Sequence, residues 1–397
     1  MQTRRTRAFD TPNLAPLGAR AGSFSSIALL CALAAACSSA EPSASDRRDT
    51  SESVDSDAVD SGAVDSGAVH SECDAEVVDS RVADSEAVSA NRVVGYLPVY
   101  RETLSYWTST LDFSALTHVT LAFASLDKGA CGVEIHYRQK DAPPRDEPGL
   151  EAFVNRVHEK HKKVCLAIGG EAGSDALGAE IVKDPIGLAR KVANYAAANH
   201  LDCIDVDQEE AEDKRTDELD AAYGNFIRAL APRLHKQKKE LTAAVSRWKA
   251  RKILPIIGEF DFMSPMAYDY NLVWSSKIPV DPSPLAQSEE EMEWWVDNGA
   301  DPAKLVWGVP FYGFTWKNDG TIAEPIAYRT IIEQLRKEPA EDTVPNGTST
   351  ITLNSRGTIL EKAKRAKEKY GGVMAWELWQ DAPDEQQSLL NAIKNGY

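Results

Sequence analysis

With 61 acidic against 44 basic side chains in 397 residues, the chain carries a formal net charge of −17. That balance argues against a nucleic-acid partner, whose phosphates require a basic surface. The length is ample for a domain with a large buried core. The acidic excess is not spread evenly: residues 41–90 alone hold 14 acids and 3 bases. Most of it therefore belongs to one stretch rather than to a folded surface.

Residues 1–36 have the build of an export signal. Arg4, Arg5, Arg7 and Arg20 precede an apolar run from Phe24 to Ala36, shorter than the ~20 residues a helix needs to span a bilayer. The ending Leu33-Ala34-Ala35-Ala36-Cys37 resembles a bacterial lipoprotein box. The resemblance implies lipid attachment at Cys37 as the first mature residue, and a membrane-anchored position at the cell surface or periplasm. A plain secretory cut after Ala36 or Ala40, giving a secreted protein, is the other reading. Residues 37–90 follow with a near five-residue repeat, Ala58-Val59-Asp60-Ser61-Gly62 and its two successors. Residues 41–90 have no aromatic residue and no apolar helical face, which predicts a disordered, self-repelling tether. The membrane is expected as a partner through the lipid anchor only.

From residue 91 strand and helix patterns alternate. Strands are expected at Val93–Leu97 and His118–Ala124, then a helix over Leu150–His161 and a strand at Val164–Ile168. A helix over Ile186–His200 leads to an acidic strand ending at Glu209. A helix over Glu218–His235, strands at Leu241–Val245 and Phe262–Met266, and a helix over Ser288–Asn298 come next. Strand Leu305–Val309, helix Leu360–Tyr370, strand Val373–Trp376 and a closing helix from about Asp384 complete the set. Eight strands with helices between most of them predict an α/β domain, a (β/α)8 barrel, over residues 91–397. Catalytic groups then belong at the C-terminal ends of the strands. A doubly wound open sheet is the alternative, but no G-x-G-x-x-G follows the first strand. Cys165 and Cys203 share strand parity with Ala167 and Asp205, and are expected as two small buried thiols rather than a disulfide. No C-x-x-C or H-x-H spacing occurs, so neither a structural metal nor a cofactor is expected.

The densest chemistry lies in Leu201–Glu209, where Asp202, Asp205, Asp207 and Glu209 fall within eight residues. Period-two alternation puts Asp205, Asp207 and Glu209 on one strand face. Carboxylates crowded on one face lose hydration and repel, which keeps one member protonated near neutral pH and suits it to donate a proton. A solvated surface strand running into Glu210, Glu212 and Asp213 is the plain alternative. A divalent-metal site on the same four acids is another.

The spacing D-x-x-D-x-D-x-E also resembles the active-site strand of the family 18 glycoside hydrolases, the chitinase-like family. Four more stretches extend the resemblance in order: Ala167-Ile168-Gly169-Gly170, Met266-Ala267-Tyr268-Asp269, Gly308-Val309-Pro310-Phe311-Tyr312-Gly313 and Gly371-Gly372-Val373-Met374-Ala375-Trp376-Glu377. The resemblance implies retaining, substrate-assisted cleavage of β-1,4-linked N-acetylglucosamine. Glu209 would be the general acid. Asp207 would hold the substrate's acetamido N–H, Tyr268 would bond its carbonyl oxygen, and Asp205 would sit below Asp207 and share its proton or charge. Trp376 would form the floor under the reacting sugar, with Met266 and Asp269 lining the same subsite. Tyr96, Phe123 and Trp274 are further sugar-binding candidates.

Three positions depart from the family pattern: Ala167 replaces serine, Cys203 replaces glycine, and Gln208 stands where an aromatic is usual. Gln208 has the opposite parity to the acids and should face the layer between barrel and helices. The segment from Phe314 to Tyr370 leaves room for only a short insertion between strands seven and eight, which predicts an open groove and endo cleavage. Chitin or chito-oligosaccharide is the expected substrate, cut by a monomer. Two alternatives stay open: an endo-β-N-acetylglucosaminidase acting on the chitobiose core of N-glycans, and a carbohydrate-binding barrel that has lost catalysis. The presence of Glu209 counts against the last.

Overall fold

The computed structural model describes residues 91–129, 132–137, 149–270, 276, 278–317, 319 and 321–397. The export signal with Cys37, the acidic tether and Trp274 lie outside them. Eight parallel strands form the inner layer: β1 (Arg92–Pro98), β2 (His118–Gly129), β3 (Lys163–Gly169), β4 (Cys203–Asp207), β5 (Glu240–Val245), β6 (Phe262–Pro265), β7 (Val306–Pro310) and β8 (Gly372–Trp376). Their hydrogen-bonded order is β6-β5-β4-β3-β2-β1-β8-β7. A parallel bridge between Met263 and Leu305 joins β6 to the foot of β7, so the ring nearly closes. This is the (β/α)8 barrel that the alternating pattern predicts.

The helices are α1 (Leu104–Thr110), α2 (Leu150–Glu159), α3 (Gly170–Lys183), α4 (Pro185–Ala198), α5 (Asp217–Lys236), α6 (Ala250–Ile253), α7 (Leu285–Asp297), α8 (Tyr328–Leu335), α9 (Arg356–Lys369) and α10 (Leu389–Gly396). Strand alternation sorts the core into two layers. Val93 and Leu97 of β1 pack outward into the large strand–helix core. Val94 and Tyr96 of the same strand point inward, with Ala122, Ala167, Phe262, Val306 and Met374. Strands covered on both faces read as near-continuous apolar runs, as Val164–Ile168 does.

Three features differ from the sequence reading or refine it. Helix α3 was not anticipated: it holds Gly170, Gly173 and Gly178, and glycine weakens any helical pattern. The closing helix begins at Leu389, where the Ser388 hydroxyl caps it by accepting from Asn391 N–H, rather than near Asp384. The third is a correction. Cys165 and Cys203 form a disulfide with Cα atoms 4.4 Å apart. Parity places both side chains inside the barrel, and the β3–β4 register sets them directly opposite each other. The thiols are therefore neighbours and not merely two small core residues.

The insertion between β7 and β8 is short, as expected, and its described residues include a sheet and a helix. Strands Tyr312–Lys317, Ile322–Ala327, Thr343–Asn346 and Ser349–Leu353 form an antiparallel sheet, with α8 in the same segment. Its first strand buries Tyr312, Phe314 and Trp316, and Tyr268 and Trp376 pack against that cluster. The insertion thus lays one wall beside the strand ends.

The disulfide closes a sequence separation of 38 residues, which on chain-entropy grounds contributes about 2–4 kcal/mol. Reduction, or the double substitution Cys165→Ala and Cys203→Ala, should lower the melting temperature by several degrees. Peptide mapping without reductant should recover Cys165 and Cys203 in one linked peptide. Alkylation of both in the native protein would contradict the assignment.

Candidate active site

The acids stand at the C-terminal end of β4 because of its pairing with β3 and β5. Ala167 lies opposite Asp205, Gly169 opposite Asp207 and Thr242 opposite Asp205. Gly169 has φ +104°, and a Cβ there would meet the Asp207 carbonyl oxygen at 2.1 Å. Only glycine lets β3 turn this tightly past the acidic strand.

Asp205 is the deepest of the three acids and is 2 % exposed. One oxygen accepts from the Tyr96 hydroxyl at 2.7 Å and the other from Thr242 Oγ1 at 2.6 Å. Burial raises its carboxyl above the usual range, and the two hydroxyls oppose that rise. Asp207, 3 % exposed, is held well above the usual range, first by burial and then by the neighbouring Glu209 and Asp205 charges. It shares a hydrogen bond with Glu209, while its Oδ1 is buried without a partner. Glu209 lies just past the strand and is half-buried. Burial, followed by the Glu171 charge, pushes it up to about 7, against the pull of Lys249. The Asp207–Glu209 pair therefore retains a proton through neutral pH, and Glu209, its outer member, stands toward the open end of the barrel.

Aromatic rings line the space beside the acids. Trp376, half-buried at the end of β8, meets Tyr96 edge-on at 5.5 Å and Phe123 at 5.7 Å between centroids. Met266, Tyr268 and Phe123 pack on the same inner cluster. Burial and then Asp207 hold the Tyr268 hydroxyl well above its ordinary range, so it remains a donor. Asp269 has a left-handed backbone, φ 54°, and burial raises its carboxyl to about 6, opposed by the adjacent Tyr312 hydroxyl. Asp205, Asp207, Glu209, Tyr268, Met266, Asp269, Phe123 and Trp376 are thus gathered at one end of the barrel. Tyr96 is 1 % exposed with its hydroxyl spent on Asp205, beneath the acids rather than at the mouth.

Four neighbours were not singled out from the sequence. Tyr312 meets the Tyr268 ring edge-on at 6.3 Å; it stands in a quoted motif and was legible there. Thr242 is signalled only by strand register. Glu171, exposed on the first turn of α3, directly follows the Gly169-Gly170 pair. Ser174 follows one turn later, where its hydroxyl accepts the Glu209 N–H at 2.6 Å; no sequence pattern marks it. Among the described residues no group of three or more His, Cys, Asp and Glu has the arrangement of a metal site.

Carboxyl groups that hold a proton near neutrality at barrel strand ends, beside an aromatic floor, define a barrel of the glycoside-hydrolase class. Residues 92–381 match the family model for glycosyl hydrolases family 18, and the chain belongs to that family. It is similar to a probable chitinase of Drosophila melanogaster, 27% identical over 243 residues, covering 55% of this chain and 49% of the relative; the chain thus spans about half the length of that relative. A family 18 chitinase from the chitin utilization locus of Flavobacterium johnsoniae superposes with a TM-score of 0.62 at 26% identity, covering 78% of this chain and 94% of the other. A chitinase-like agglutinin from Robinia pseudoacacia shares the fold at 20% identity and a TM-score of 0.63, covering 76% and 98%.

The electrostatics predict how Glu209 titrates. Carboxyl 13C shifts followed against pH should place its midpoint near 7, and Glu171→Gln should lower it. Removing a nearby negative charge eases ionisation of an acid. A wild-type midpoint in the ordinary glutamate range, near 4.3, would contradict the site as described.

Proposed function

We propose that this chain is a retaining chitinase that cleaves β-1,4 linkages between N-acetylglucosamine units, endo-acting and with the substrate as its own nucleophile. The observation that carries the reading is the Asp207–Glu209 pair: one proton shared through neutral pH between a half-buried glutamate and a buried aspartate with a free oxygen. A sugar bound over Trp376 brings its glycosidic oxygen to Glu209, which gives up its proton as the bond to the leaving sugar breaks. The 2-acetamido oxygen attacks the anomeric carbon from the opposite face and closes an oxazolinium ring. Asp207 accepts the acetamido N–H and offsets the positive charge, while Tyr268 donates to the acetamido oxygen. Water, deprotonated by Glu209, then opens the ring and restores the original anomeric configuration.

Asp205, bonded to two hydroxyls, supplies the charge beneath Asp207 and favours proton retention above it. The insertion walls one side of the site, and cleavage within chains remains the reading to be tested from products on polymer. The same carboxyl arrangement would serve the chitobiose core of an N-glycan, and the products separate the two substrates. Export belongs to the same proposal, with Cys37 as a lipid anchor and residues 37–90 holding a monomeric barrel off the membrane. A buried disulfide is in keeping with an oxidising compartment. Cys37→Ala should release the protein from the membrane fraction or leave it unprocessed. Wild-type protein recovered entirely soluble and unmodified would remove the anchor.

Glu209→Gln should lower turnover of N-acetylated chitin oligomers by roughly 10²–10⁴-fold while oligomer binding persists. Because Glu209 must carry its proton to act, wild-type kcat should fall as pH rises through about 7. Anomer analysis by NMR should show retention, and an oligomer lacking the acetyl group at the reacting sugar should not be cut. Inversion, or equal rates on both substrates, would overturn the mechanism. Faster cleavage of a high-mannose glycopeptide than of chitin oligomers would reassign the substrate.

A further inference from the structure

The residue proposed to donate the proton is not held by the sheet. The β3–β4 ladder ends at Gly169–Asp207 and the β4–β5 ladder at Asp205–Thr242. Gln208, Glu209 and Glu210 therefore continue without strand pairing, although Gln208 and Glu210 are buried. Buried backbone groups need partners from elsewhere.

Those partners come from two helices on opposite sides of the segment. From α3, Ser174 Oγ accepts the Glu209 N–H at 2.6 Å and donates to the Gly170 carbonyl at 2.7 Å. Gln208 Nε2 donates to the Ser174 carbonyl at 3.0 Å, tying the same turn to the strand end. From α6, Lys252 Nζ donates to the Gln208 carbonyl at 3.0 Å and pairs with the Glu210 carboxylate, both side chains 2 % exposed. Lys249 Nζ reaches the Glu210 carbonyl. The Gln208 carbonyl, the Glu209 N–H and the Glu210 carbonyl are thus each held by a side chain from outside the barrel.

We propose that Ser174 and Lys252 are positioning residues for Glu209, a clamp that fixes its backbone from both sides, with Gln208 locking α3 to the strand end. The proposal rests on the reading of Glu209 as the proton donor. A hydrogen bond shorter than 3 Å at the residue's own N–H sets where the carboxyl stands relative to the glycosidic oxygen. Misplacement by about 1 Å costs roughly 10²-fold in rate, with little effect on contacts to the remaining sugars. The clamp also accounts for the departure at Gln208: its amide serves as a helix dock rather than a sugar contact.

The test uses the full chain. In Ser174→Ala, kcat on a p-nitrophenyl chitobioside should fall about 10- to 100-fold with KM within twofold and the melting temperature within a few degrees. Ser174→Thr, which keeps the hydroxyl, should recover most of the loss. Lys252→Met combined with Glu210→Gln, which removes both charges of the buried pair and leaves the partly exposed Lys249 to solvent and the Glu210 carbonyl, should show the same split between kcat and KM. A second readout needs no turnover: the 13C midpoint of Glu209 should move in Ser174→Ala, although Asp207, Glu171, Asp269, Tyr268 and Lys249 are all unchanged. Wild-type kcat and midpoint in Ser174→Ala would overturn the proposal. So would equal losses of kcat, KM and melting temperature in the Ala and Thr variants, which would make Ser174 a packing residue. A wild type inactive on every acetylated oligomer would remove the proposed function, and the midpoint comparison would still decide the clamp.

Discussion

Two carboxyls that share a hydrogen bond inside a protein cannot both be ionised at modest cost. Two unit charges about 4 Å apart at an effective dielectric near 20 repel by about 4 kcal/mol, enough to keep a proton on the pair through neutral pH. The Asp207–Glu209 pair imposes this constraint, and Asp205 below adds to it. The surrounding structure decides where the proton rests. Tyr96 and Thr242 donate to Asp205 and favour charge at the bottom of the row. Glu171 faces Glu209 and opposes charge at the top. Charge is thus favoured at Asp205, and the shared proton belongs to the Asp207–Glu209 pair above it, whose outer member stands at the mouth.

The aromatic side of the site is fixed from behind. Glu377, directly after Trp376, is fully buried; it accepts from the Trp379 N–H at 2.7 Å and pairs with Arg101 Nε at 3.2 Å. Arg101 and Arg329 each place a guanidinium over the Trp379 ring, 4.7 and 4.9 Å from its centroid. Arg329 belongs to α8, so the insertion braces the Trp376 loop as well as walling the site through Tyr312. A stacked guanidinium contributes about 0.5–2 kcal/mol, and two of them tie the insertion to the barrel rim. Trp376 and the wall beside it are therefore held by one connected set of contacts.

How far the sequence reveals this depends on whether an interaction is periodic. The eight strands, the inward face of Asp205 and Asp207, and the outward Gln208 all follow from period-two alternation, which the chain displays openly. Register is not written in the same way. Alternation says that Cys165 and Cys203 both point inward, but only the pairing of β3 with β4 sets them opposite each other. The Thr242 contact with Asp205 is hidden for the same reason. Helix α3 escapes the pattern because three glycines dilute its periodicity, and Ser174 escapes with it. Trp274 lies outside the described residues, so the sequence alone speaks for it.

The departures from the family pattern that puzzle at the level of sequence have one structural logic. Strand β4 is joined to β3 at its foot by the Cys165–Cys203 bond, and at its top Gln208 and Glu209 bond to Ser174 of α3. Helix α3 continues directly from β3 through the Gly169-Gly170 turn. One continuous β3–α3 unit therefore holds the acidic strand at both ends, covalently below and by hydrogen bonds above. Ala167, between the two ties and opposite Asp205, has no polar group to offer, and Tyr96 and Thr242 satisfy Asp205 from β1 and β5. The polar support lost at Ala167 comes from the neighbouring strands, and the alignment of the acids comes from the frame.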